Sequence, residues 1–226
     1  LLTQNYPTIH AVGRASCHPP RLIDLHWGDE NHPKITLVGK GVCFDSGGLD
    51  LKPSAGMRLM KKDMGGAAHV LGLAHLIMSN NLPVRLRVLV PSVENAVSSN
   101  AMRPGDVLTT RSGLTVEIDN TDAEGRLTLA DALVYAEKTC GATAIVDCAT
   151  LTGAIIVALG NDMAGLFSPK DEAAKRVEEA AKTAGEDLWR MPMPDSMWSI
   201  MKSEIADMKN TGSRGGGSIT AALFLK

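Results

Sequence analysis

Asp122, Glu124 and Arg126 stand at alternate positions in the run Asn120-Thr121-Asp122-Ala123-Glu124-Gly125-Arg126-Leu127, just before an apolar helical pattern. In an extended segment alternate side chains share one face, so the two carboxylates can converge on one cation while the guanidinium stays close by. A polar cluster this dense is costly to bury unless a metal ion or an anion completes it. Upstream, Lys40-Gly41-Val42-Cys43-Phe44-Asp45-Ser46-Gly47-Gly48, then Lys52 and Asp63-Met64-Gly65-Gly66, add further carboxylates and two lysines in glycine-flanked turns.

The elements that must hold these residues alternate between strand and helix. Residues 35–39 read as a short buried strand that runs into the glycine-rich loop. From Asp63 the apolar positions Ala67, Val70, Leu71, Ala74, Ile77 and Met78 repeat at helical spacing, and Asn80, Asn81 and Pro83 end that helix. A strand follows at 84–90, a hairpin at 107–118 around Arg111-Ser112-Gly113, a helix at 127–138 and a buried strand at 142–149. Residues 154–159 form a short apolar segment, 164–167 a strand, 171–184 a solvent-facing helix, and the glycine-rich stretch 211–217 feeds a last helix from Ser218. This alternation implies a sheet with helices on both faces.

Composition bounds the reading. A chain of 226 residues with 44% hydrophobic and 21% charged residues can build one sizeable α/β domain. A formal net charge of −2 provides no basic field, which argues against nucleic acid and anionic membranes as partners. The four cysteines form no CxxC pair, so buried reduced thiols are expected rather than a disulfide or a zinc-thiolate site. No apolar run reaches the length that spans a membrane.

On the blocks quoted above, the sequence resembles the leucyl aminopeptidase family of cytosolic two-metal peptidases. The octapeptide 120–127 matches that family's signature as it stands, and Lys40, Asp45, Lys52 and Asp63 fall at its spacings. The resemblance runs from about Ile35 to the last residue. It implies a three-layer α/β/α sandwich with a mixed, mostly parallel central sheet, read here as a single catalytic domain over 1–226. It also implies a metal-dependent aminopeptidase that releases N-terminal residues such as leucine from peptides, by attack of a water bridging two ions.

The resemblance further assigns roles. Asp45 and Glu124 would be shared by both ions, Asp122 would serve one, and Lys40 and Asp63 would complete the other. An amine ligand must be neutral, so Lys40 would titrate far below its usual value of about 10.4. Lys52 would steady the developing oxyanion, and Arg126 would hold a bicarbonate ion that shuttles the proton. Met60, Asn120, Thr150, Leu151 and Gly153 match positions around the substrate. The ions would be Mn, Zn or Mg, because a carboxylate-rich site with one amine suits each.

Plainer readings compete with these. A lone aspartate is more often a cap or turn residue, and Asp63 could simply cap its helix. Lys40 between two glycines would ordinarily be an exposed loop lysine. His69 and His75 are six apart, not the four that would put both on one helical face, and no HExxH occurs. Around the substrate positions, ordinary core is as good a reading as a pocket. Cys43 stands where many members carry Thr.

Two other functions are set beside the first. One is a dipeptidase of the Cys-Gly type on the same site; the other is a DNA-binding accessory role, against which the near-neutral charge weighs. Both ends look cut: Leu1 replaces an initiator methionine, the family's smaller N-terminal domain is missing, and the last helix has no stop signal. The resemblance also implies a cytoplasmic homohexamer acting on peptides.

Overall fold

The computed structural model describes residues 1–226 in full. In chain order the elements are α1 (Pro7–Gly13), β1 (Arg21–Trp27), β2 (Lys34–Gly39), β3 (Gly41–Asp45), α2 (Ser54–Met57), α3 (Gly65–Ser79) and β4 (Arg85–Asn95). Then come β5 (Val107–Thr109), β6 (Thr115–Glu117), α4 (Glu124–Lys138), β7 (Ala144–Cys148), α5 (Gly153–Leu159) and β8 (Ala164–Leu166). The chain closes with α6 (Asp171–Ala184), β9 (Leu188–Arg190), β10 (Met208–Lys209) and α7 (Gly217–Leu225).

The chain forms two compact units. The first comprises Leu1–Thr150 with Ser203–Asn210, the second Leu151–Lys202 with Thr211–Lys226. The first unit is built on a five-stranded sheet ordered β1-β4-β2-β7, with β3 also paired to β4. Strand β1 runs antiparallel to β4 and all other pairs are parallel, so the expected mixed α/β architecture is present. Leu37, Leu86, Val88 and Val90 pack with Ala67, Val70, Ala74 and Ile77 of α3 on one face. On the other face α1 approaches closely enough that a Cβ on Gly13 would meet Val93 at 3.3 Å.

Most elements lie where the side-chain periodicity puts them. Helix α6 covers 171–184 as expected, starting on Asp171 and Glu172 and ending at Gly185 in the left-handed region (φ 73°). Several segments differ, among them β4, which runs on to Asn95, and α4, which starts at Glu124 rather than 127. Residues 154–159, read only as apolar, are helical, with Thr152 accepting a hydrogen bond from the Ile155 amide at the N-cap. The first 27 residues, which carry no clear periodicity, supply α1 and β1. The glycine-rich site loop is in part a strand, β3, held by backbone pairing to β4 and therefore without a side-chain signature.

The thiol expectation is half met. All four cysteines are free, but Cys17 and Cys43 are exposed and Cys140 and Cys148 only half-buried. Adjacent apolar residues do not by themselves bury a side chain; in β3 Cys43 points away from the core while Val42 is buried.

One long-range contact fixes the N-terminal segment of the first unit. Asp131 of α4 is fully buried and accepts from the Thr8 and Ile9 amides at the start of α1 and from the Arg111 amide. Two orphan N–H groups of α1 are thus satisfied by a residue more than 120 positions away. Burial pushes the Asp131 carboxyl up, against the pull of these donors. Asp131→Ala should cost about 3 kcal/mol, since it strands buried donors as well as removing an ionisable acceptor. Urea unfolding measures this; a loss under about 0.5 kcal/mol, the usual scatter for surface changes, would contradict it.

Candidate active site

Strands β2 and β3 are two halves of one line, both pairing with β4, and Lys40 is the residue at the break between them. Its amide donates to the Cys148 carbonyl and its carbonyl accepts from the Ala67 amide at 3.0 and 2.9 Å. The backbone is therefore tied to β7 and α3, and the side chain is buried rather than free in solvent. Its ammonium lies 2.7 Å from Asp63 Oδ2 and 3.0 Å from Glu124 Oε1. The loop-lysine reading of Lys40 is thus displaced by a buried ion triad.

Asp45 ends β3. A bulge falls between Val42 and Phe44, so Asp45 pairs with Asn95 at the end of β4. Asp45 Oδ1 accepts from the Gly47 amide and from Asn95 Nδ2, both at 2.9 Å, while Oδ2 faces Lys52 Nζ at 2.9 Å. Lys52 reaches Asp122 Oδ1 at 2.5 Å as well. Gly47 and Gly48 have positive φ (89° and 68°), and a Cβ on Gly48 would sit 2.9 Å from Thr121 Oγ1. Glycine is needed there because the loop turns left-handed against the signature segment.

Asp122 and Glu124 converge, but not as alternating residues of an extended strand. Residues 121–122 form a turn and Glu124 is the first residue of α4. With Asp122 in the turn and Glu124 in the first turn of the helix, the two carboxylates meet through the bend of the chain rather than through strand alternation. Oxygens of Asp45, Asp122 and Glu124 all lie within 4.8 Å of one another. Asp63 follows a short 3-10 turn, Met60–Lys62, and Met64 rather than Asp63 occupies the N-cap of α3, with no side-chain hydrogen bond. Asp63 instead accepts from Thr150 Oγ1 at 2.7 Å.

The electrostatics follow from crowding. The Glu124 carboxyl is raised to about 7, first by burial and then by Asp45 and Asp63, with Lys40 pulling against them. Burial alone would lower Lys40, yet the Glu124 and Asp63 carboxylates outweigh it and the net shift is upward. Lys52 is likewise depressed by desolvation and raised more strongly by Asp122 and Asp45, which keeps it an ammonium. Arg126, also buried, is lowered to about 10 by desolvation, partly offset by Glu124. Asp63 Oδ2, Asp122 Oδ1 and Glu124 Oε1 are shielded from solvent and lie against lysine ammoniums without a well-aligned hydrogen bond. Oxygens held by charge rather than by direction are what a spherical cation requires.

The remaining sequence candidates divide. Asn120 Oδ1 accepts from the Asp122 amide at 2.7 Å. Thr150 touches both Asp63 and Lys40, the latter through its carbonyl at 3.3 Å. Met60 carries the carbonyl that accepts from the Asp63 amide. Leu151 and Gly153 belong to the second unit, Gly153 as the first residue of α5. His69 is exposed and bonds to the Gly65 carbonyl, and His75 is exposed as well.

Sequence reasoning missed the residues that frame the signature. Thr121 Oγ1 donates to the Gly47 carbonyl and accepts from the Asp50 amide, and Asp50 Oδ2 accepts from the Thr121 amide. Asn210 Oδ1 accepts from the Asp119 and Asn120 amides while its Nδ2 donates to the Asn120 carbonyl. Only a polar residue beside a glycine-rich stretch marks Asn210 in the sequence, and that is no usable signal.

The model of the cytosol aminopeptidase family's catalytic domain matches residues 1–226. The chain belongs to that family. It is 55% identical over 218 residues to a probable cytosol aminopeptidase of Nostoc punctiforme, covering 95% of this chain and 44% of that protein. Leucine aminopeptidase 1 of Arabidopsis thaliana is 54% identical over 222 residues, with 96% of this chain and 42% of the relative covered. The crystal structure of the cytosol aminopeptidase from Coxiella burnetii superposes with a TM-score of 0.96 at 55% identity, over 99% of this chain and 49% of that one. The bottromycin maturation enzyme BotP in complex with Mn gives 0.94 at 43% identity, over 99% and 50%. The chain thus spans about half the length of the family members it matches.

Proposed function

We propose that this chain is the catalytic domain of a metal-dependent aminopeptidase that releases N-terminal residues such as leucine from peptides. The observation that carries the reading is the cluster of Asp45, Asp122 and Glu124 oxygens within 4.8 Å, beside Asp63 and Lys40. Buried carboxylate oxygens that lack aligned donors fit divalent cations. Lys40, Asp45, Asp63, Asp122 and Glu124 would hold two such ions, Mn, Zn or Mg, and the Mn complex of BotP makes manganese the first to test. Ions bound there supply Lewis acidity and bring the ionisation of water toward neutrality.

The chain's own residues do the rest. Lys40 would serve as a ligand only as a neutral amine, a form that divalent charge beside it would favour. Lys52, held as an ammonium, aims positive charge at the oxygen where negative charge develops on the scissile carbonyl. Arg126, at the start of α4 and buried, carries the positive charge and the helix N-terminal setting that suit a bicarbonate ion, which would move the proton in place of a side-chain base. Asn120 holds the Asp122 amide and Thr150 the Asp63 carboxylate, and Met60, Leu151 and Gly153 are the proposed contacts for the first substrate residue. The assembly proposed is a cytoplasmic homohexamer; no helix is long and apolar enough to cross a membrane.

The test is turnover by the full-length protein. Leucyl peptides should be cleaved in the presence of Mn²⁺ or Zn²⁺, N-acetylated peptides should not, and a chelator should stop the reaction. Equal rates on free and blocked N-termini would sink the assignment. Faster turnover of Cys-Gly than of tripeptides would favour the dipeptidase reading. Added bicarbonate should accelerate the wild type and leave Arg126→Ala unmoved; a persisting response in the variant would remove Arg126 from that role. Light scattering decides the hexamer.

A further inference from the structure

Asn95 is buried at the end of β4, directly beside Asp45 across the parallel ladder. Its Nδ2 donates to Asp45 Oδ1 at 2.9 Å and to the Thr121 carbonyl at 3.2 Å. Its backbone carbonyl accepts from the Ser46 amide at 3.1 Å and from Ser46 Oγ at 2.7 Å. Two acceptors on the nitrogen side of the amide fix which way it points. One residue thus joins β4, the loop 45–48 and the signature turn 121–122.

We propose that Asn95 is the positioning residue that orients Asp45 toward the divalent ions and locks it to the turn carrying Asp122; this rests on the metal-site reading above. The two oxygens of Asp45 are not equivalent. Oδ1 already accepts two neutral donors, Asn95 Nδ2 and the Gly47 amide, which occupies its two lone pairs. Oδ2 is the oxygen turned to the charged centre, where it meets Lys52. A carboxylate pinned through one oxygen presents the other at a fixed place and angle, and its rotation about χ2 no longer has to be frozen when a cation binds. A neutral amide suits this task better than a lysine or arginine, because it stabilises the ionised carboxylate without putting repelling charge beside a divalent ion. The bulge at Cys43 serves the same end: in unbroken register Asp45 would lie opposite Ala96, which has no donor side chain.

The measurement is Mn²⁺ binding to the full-length protein by calorimetry without substrate, together with the melting temperature before ion is added. In Asn95→Ala, affinity should fall roughly 10–100-fold, the range seen when a hydrogen-bond partner of a ligand is removed. The ion-free melting temperature should move only a few degrees. Asn95→Ser, which removes the amide but leaves a smaller void, should show the same loss, and Asn95→Gln, which retains an amide donor, should recover part of it. Binding within twofold of wild type in a folded Ala or Ser variant overturns the proposal. Failure of both variants to fold also overturns it, by assigning Asn95 to the scaffold. Absence of Mn²⁺ binding in the wild type would instead strike the metal-site reading, so the two failures are told apart.

Discussion

Glu124→Ala is expected to abolish both ion loading and hydrolysis, and Asp45→Ala to do the same. Each removes a carboxylate proposed to lie between two cations, so the ions would face each other with less negative charge between them. Coulomb repulsion between two divalent ions is four times that of unit charges at the same separation. The loss should therefore exceed the roughly 10–100-fold typical of removing a residue that only hydrogen-bonds a ligand. Glu124 carries an added consequence: it is buried against Lys40 at 3.0 Å, and its removal leaves that ammonium with Asp63 as its near partner. Glu124→Gln keeps the shape and removes only the charge, which separates ligand loss from cavity formation. Metal analysis decides: two ions per chain still bound in either alanine variant would disprove the bridging role.

Lys52→Ala should lower kcat by roughly 10²–10³ with a much smaller change in KM, because its contact would strengthen only as the oxyanion forms. That corresponds to about 3–4 kcal/mol of transition-state stabilisation. The structure also ties Lys52 to Asp45 Oδ2 and Asp122 Oδ1, so a second readout is needed. Ion content should stay at the wild-type level, since Lys52 opposes rather than assists cation binding to those oxygens. A change in KM alone would make it a substrate-positioning group, and loss of ions would make it a strut for the carboxylates.

The family and the candidate site were legible because both reside in residue types at fixed spacing. The octapeptide 120–127 with Lys40, Asp45, Lys52 and Asp63 pointed to the family, and the match over the full chain agrees. Helices α3, α4 and α6 were legible for a similar reason: the apolar periodicity of α3 and α4, and the terminal charges and closing glycine of α6, are local. Strand β3 was not, because what makes it a strand is backbone pairing with β4, and its residues Gly41, Cys43 and Asp45 carry no strand signature.

What the tertiary structure alone decided is the aim of each oxygen. Asn95 is 50 positions from Asp45, Asn210 is 90 from Asn120, and Asp131 is 123 from Thr8. No local pattern records such partners, because a hydrogen bond between distant segments costs loop entropy that only the whole core repays. The sequence by itself determined which groups could bind a cation; the closing of those long loops determined which lone pairs remain to do it.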